Sequence, residues 1–111
     1  MRLWHATRAK AAMREAVGPN IEIGVDVRAR LNVWGARRVA QQLEPLDIAW
    51  LEEPILFDNA DTMAEFARSV RVPVATGEQL YTRWEFRAIG TTCHRHHPTR
   101  YLPRRRFLRI A

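Results

Sequence analysis

Three carboxylates recur at one interval along this chain: Asp26, Glu52 and Glu78 are separated by equal steps of twenty-six residues. Each closes a short apolar run. Ile21-Glu22-Ile23-Gly24-Val25 leads into Asp26, Asp47-Ile48-Ala49-Trp50-Leu51 into Glu52, and Val72-Pro73-Val74-Ala75-Thr76-Gly77 into Glu78. A polar turn and a segment of helical periodicity follow each carboxylate, so the unit that repeats is strand, carboxylate, helix.

A repeat of that kind constrains the architecture. An eight-unit β/α barrel of about 250 residues allots roughly 31 to each unit and keeps its chemistry at the C-terminal ends of the strands. The fold class expected is therefore α/β, a partial (β/α) barrel of the TIM type with about three units, because 111 residues are fewer than half of a full barrel. Parallel neighbouring strands would bring Asp26, Glu52 and Glu78 to one mouth. Like charges there repel unless a hard divalent cation neutralises them, and magnesium fits oxygen donors of this type. The plainer alternative is that each acid caps the helix after it. For one residue alone that reading is favoured; three in register favour a metal site.

The helical segments have their own signals. Ala9, Ala12, Met13, Ala16 and Val17 share one face of a helix expected over 6–17, with Gly18-Pro19 as its stop. Asn32 is placed to cap a helix with Ala36, Val39, Ala40 and Leu43 on one side, ended by Pro45. Asn59 is placed to cap another, with Met63, Phe66, Ala67 and Val70 inward. Thr82 and Glu85 have the spacing of a capping box and open a helix through Trp84, Phe86 and Ile89. From Gly90 onward no periodicity is visible. The chain is thus expected to divide into a partial barrel over 1–89 and an irregular basic tail over 90–111.

The net charge of +6 raises the question of a nucleic-acid partner. The whole excess sits in Arg95, Arg100, Arg104, Arg105, Arg106 and Arg109, and the remainder of the chain is balanced. Such a tail would bind acidic surfaces weakly and with strong salt dependence. It lacks aromatic interleaving or a recognition motif, so no specific nucleic-acid partner is expected. Cys93, His94, His96 and His97 crowd together, yet adjacent histidines seldom serve one tetrahedral zinc. A single cysteine excludes an internal disulfide and fits a reducing compartment. No apolar run approaches the ~20 residues of a membrane span, and Met1-Arg2-Leu3-Trp4-His5 lacks an apolar signal region. A cytoplasmic location and no membrane partner are expected.

Residues from about 10 to 89 resemble the enolase superfamily, in its mandelate racemase and muconate lactonizing branch, and most of all its galactonate dehydratase group. Met13-Arg14-Glu15-Ala16-Val17-Gly18, Leu43-Glu44-Pro45-Leu46, Trp50-Leu51-Glu52-Glu53-Pro54, Pro73-Val74-Ala75-Thr76-Gly77-Glu78 and Tyr81-Thr82-Arg83-Trp84-Glu85-Phe86 carry the likeness. The resemblance implies Mg2+ as cofactor, a sugar acid as substrate, and Asp26, Glu52 and Glu78 as metal ligands. It also implies that the metal stabilises the enediolate formed when a base removes the proton beside the substrate carboxylate.

Two departures bear on activity. The dehydratases carry a His two residues after the first metal Asp, as the acid for the departing hydroxyl; Arg28 occupies that position here. With a pKa above about 12, an arginine cannot donate that proton near neutrality. The downstream His-Asp base pair, the later strands and the N-terminal capping domain of the family are not matched in these residues, so no catalytic residue is assigned. The tail has a further property. Residues 95–110 can be written in codons that, read one base later, spell DIIQPDICHAGGFSE, which looks like the next strand and loop of the same dehydratases. The tail therefore reads as a frameshifted copy of family sequence.

Three functions remain open at this level. One is a truncated sugar-acid dehydratase relative, inactive alone. Another is a magnesium-dependent dehydratase or racemase assembled from several partial barrels, whose unpaired sheet edges would otherwise invite oligomerisation or aggregation. The third is a basic-tailed binding protein.

Overall fold

The computed structural model describes residues 3–93; the stretch 94–111, with the tail's arginines, the shifted-frame reading and the histidines beyond Cys93, lies outside them. Helix α1 (Leu3–Val17) comes first, followed by strand β1 (Gly24–Asp26), helix α2 (Val33–Leu43), a 3-10 turn (Glu44–Leu46) and strand β2 (Trp50–Glu52). Helix α3 (Ala60–Arg68), strand β3 (Val74–Ala75) and helix α4 (Arg83–Cys93) complete the order. The strands form one parallel sheet in the order β1-β2-β3, and α2 and α3 are the crossovers. This is the partial barrel expected.

Register explains how the sheet sorts its side chains. Val25, Leu51 and Val74 are partners across the three strands. All three are buried in one core with Ala36, Ala40 and Leu43 of α2 and Met63 and Phe66 of α3. Side chains alternate along a strand, so Asp26, Glu52 and Ala75 form the next row, on the opposite face. Gly24 and Trp50 stand on that same face one pleat earlier. Asn32 and Asn59 cap α2 and α3 as the sequence predicts, accepting from the Gly35 and Thr62 amides, each at 2.8 Å.

The structure departs from the sequence pattern in three places. The strands are shorter than the apolar runs, although ladder bonds continue past their ends, from the Val27 amide to the Glu52 carbonyl and from the Glu53 amide to the Ala75 carbonyl. Helix α4 runs through Gly90 to Cys93, so the boundary expected after residue 89 falls inside a helix. Its capping box forms as expected, but Trp84 and Phe86 are exposed and only Ile89 is buried, against Ala64 and Leu80.

The third departure concerns α1, whose small apolar face of Ala9, Ala12, Met13, Ala16 and Val17 is exposed. A polar contact made by Arg14 ties this part of the helix down. Arg14 donates through Nε to the Leu46 carbonyl at 3.0 Å, through Nη1 to Gly18 and Ile21 at 2.9 and 2.6 Å, and through Nη2 to Asp47 at 2.8 Å. A planar guanidinium with donors on three nitrogens can serve four carbonyls at once. It fastens α1 to the turn that precedes β2.

Candidate functional site

The first pair of the site follows from the strand register. Asp26 and Glu52 are Cα partners at the C-terminal ends of β1 and β2, on the face turned away from the helices. Both are half-buried. The Trp50 indole Nε1 lies 3.4 Å from Glu52 Oε2 and donates to it. Trp50 is itself folded over Gly24, where an added Cβ would fall 2.3 Å from two of its ring carbons. Glycine is thus what lets an indole lie flat beside the two acids.

Beyond Asp26 the chain turns sharply. Arg28 and Ala29 both take positive φ, 59° and 56°. The Arg28 amide donates to Asp26 Oδ1 at 2.9 Å, and its guanidinium Nε lies 3.9 Å from Oδ2. The position expected to hold an acid histidine therefore presents a permanent cation next to the first carboxylate. Arg28 is exposed, and Asp26 is largely covered, with 11% of its side chain accessible.

Glu78 is placed differently. The partner of Glu52 on β3 is Ala75, and Glu78 follows three residues later, exposed, in the turn before α4. Among the described residues, no group of three or more His, Cys, Asp or Glu is arranged to hold a metal ion. Of the three carboxylates, Asp26 and Glu52 stand side by side in register, and Glu78 lies three residues past the strand partner of Glu52.

The carboxylate that the sequence reading passed over is Glu53. It is 1% exposed, and its φ of 42° turns it off the line of β2. Its Oε1 accepts from the Gly77 amide at 2.7 Å and the Glu78 amide at 3.2 Å. The Thr76 hydroxyl lies 3.0 and 3.1 Å from its two oxygens. A signal for it existed: in Glu52-Glu53-Pro54 two adjacent acids on an extended strand point to opposite faces, and whichever faces a core needs donors there.

Comparison with known proteins follows the same outline. Residues 3–92 match the family model described as enolase C-terminal domain-like. D-galactonate dehydratase from Xanthomonas euvesicatoria is 34% identical over 79 residues, 71% of this chain and 21% of that protein. The chain therefore spans about a fifth of the length of the curated relatives it matches. A racemase from Streptomyces coelicolor, solved with bound magnesium, superposes with a TM-score of 0.78 at 31% identity, over 81% of this chain and 25% of that one. A mandelate racemase/muconate lactonizing enzyme-like protein from Rubrobacter xylanophilus gives 0.75 at 40% identity, over 78% of this chain and 22% of that one. Strand order, paired acids at the strand ends and these matches agree: the chain belongs to the enolase C-terminal domain-like family, in the mandelate racemase and muconate lactonizing branch of the enolase superfamily, and is related to its galactonate dehydratases and racemases.

Proposed function

We propose that these three β/α units carry the metal-facing part of a magnesium-dependent sugar-acid dehydratase site, and that the 111-residue chain does not turn over such substrates alone. The observation that supports this most directly is the side-by-side register of Asp26 and Glu52 at the ends of parallel strands. Asp26, Glu52 and Glu78 would hold the ion. When bound, magnesium supplies positive charge that offsets negative charge developing on the substrate carboxylate. The chain's own residues do the rest of what is possible here. Trp50 donates to Glu52, and the Arg28 amide and guanidinium both face the Asp26 carboxylate.

Proton transfer is what these residues do not supply. Dehydration needs a base at the substrate α-carbon and an acid for the leaving hydroxyl. Arg28 cannot be that acid. The histidines of the chain are His5, His94, His96 and His97, none of which matches a catalytic position of the family. A galactonate dehydration assay on the purified chain with magnesium tests the proposal, and no turnover is expected, even after Arg28→His. Magnesium-dependent dehydration abolished by Glu52→Gln would instead favour an enzyme assembled from several partial barrels. The outer edges of β1 and β3, which have no strand partner among the described residues, are where copies would join.

A further inference from the structure

Glu53 is buried, ionisable and in a costly backbone conformation, and it is not one of the candidate metal ligands. Left-handed φ costs a residue with a Cβ about 1–2 kcal/mol, and a buried carboxylate is tolerated only where donors satisfy it. Strain of this kind accumulates where the surrounding structure needs a group in one place. The donors that satisfy Glu53 are not scattered. They are the Thr76 hydroxyl and the backbone amides of Gly77 and Glu78, three consecutive residues on the next unit of the fold.

The far side of the contact is built to match. Gly77 has φ of 125°, a region that residues with a Cβ rarely adopt, and a Cβ there would meet the Phe86 ring at 3.3 Å. Both ends of the bond are therefore held in uncommon backbone geometry, and the Glu53 carboxylate is what they converge on. Its neighbour in sequence is Glu52, and one of its donors is the amide of Glu78.

We propose that Glu53 is a positioning residue: its buried carboxylate clamps the Thr76-Gly77-Glu78 turn to the end of β2 and so sets where the Glu78 carboxylate stands relative to Glu52. The clamp links two of the three candidate ligands without itself facing the mouth. Its metal consequence rests on the magnesium reading above. Its structural part does not.

Amide hydrogen exchange and Mn2+ titration on the full 111-residue chain separate the two. In Glu53→Gln, the amides of Gly77 and Glu78 are expected to exchange about tenfold faster or more, because the carboxylate oxygen that both donate to is replaced by a side-chain amide with one acceptor oxygen fewer. Leu51 and Phe66 amides should keep their rates. Mn2+ affinity, followed by water-proton relaxation, should fall about ten- to a hundredfold, as when a group that orients a ligand is lost. Thr76→Val should move both readouts in the same direction by less, and Thr76→Ser should restore them.

Unchanged Gly77 and Glu78 exchange in both Glu53→Gln and Thr76→Val would overturn the clamp, and faster exchange with unaltered Mn2+ affinity would overturn its role in positioning the ligands. If Glu53→Gln accelerates exchange everywhere, Thr76→Val decides: local loosening supports the clamp, and uniform loosening reduces Glu53 to general stability and overturns it. Absence of Mn2+ binding by the unaltered chain, with Gly77 and Glu78 protected through Glu53, would sink the magnesium reading and leave the clamp standing.

Discussion

Trp50 lies against Gly24 so closely that the two residues form a single fitted pair across β1 and β2, partners in register with no room for a methyl group between them. Gly24→Ala therefore has to displace a buried indole, and Trp50 is only 8% exposed. Overpacking of this kind costs about 1–3 kcal/mol, which urea denaturation would read as a lower midpoint with an unchanged slope. Because Trp50 also donates to Glu52, Gly24→Ala should lower any Mn2+ affinity too. Wild-type stability in Gly24→Ala would mean that the indole does not rest there.

Arg14 should matter more than its place on an exposed helix suggests. It is the donor to four backbone carbonyls, those of Gly18, Ile21, Leu46 and Asp47. Arg14→Met keeps most of the apolar stem and removes the donors, at an expected cost of about 1–3 kcal/mol. Arg14→Lys should recover little, since an ammonium cannot reach four separated carbonyls as a planar fork does. Full recovery by lysine would reduce the contact to charge alone.

The two asparagine caps offer an internal control. Asn32→Ala and Asn59→Ala each remove the side-chain acceptor of one helix and should each cost about 1 kcal/mol. They act on different helices, so the double variant is expected to equal the sum within about 0.5 kcal/mol. A clear excess would reveal coupling between α2 and α3 through the shared core.

Glu85 gives α4 a pH dependence whose sign follows from its hydrogen bonds. Its carboxyl is held below the ordinary glutamate range, first by the Thr82 amide at 2.7 Å, then by the Thr82 hydroxyl at 2.9 Å and the Tyr81 amide at 3.1 Å. A depressed folded pKa means that the capping contribution is complete above the unfolded value of about 4.3 and is lost as pH falls through the lower folded value. A carboxyl NMR titration of Glu85 should show a midpoint below the ordinary range that rises in Thr82→Ala. An identical midpoint in both proteins would mean that the Thr82 side chain does not hold the Glu85 carboxyl.

Local chemistry determined much of this protein from its sequence alone. Asn32 and Asn59 as caps, the Thr82 and Glu85 box, parallel strands ending near Asp26 and Glu52, and the apolar faces of α2 and α3 are all set by short-range spacing, because capping geometry and helical periodicity involve residues a few positions apart. The family likeness was legible for the same reason, in contiguous motifs such as Trp50-Leu51-Glu52-Glu53-Pro54. Tertiary structure decided what depended on residues far apart in the chain. It made Glu53 rather than Glu52 the buried acid, by supplying donors twenty-three to twenty-five residues away. It set Glu78 three residues past the strand partner of Glu52, left the small apolar face of α1 exposed with Arg14 fastening the helix, and made Gly24 the floor on which Trp50 lies. Periodicity states which side of an element is apolar; which element covers that side, and where a strand stops, follow only from the balance of packing and hydrogen bonds across the assembled sheet.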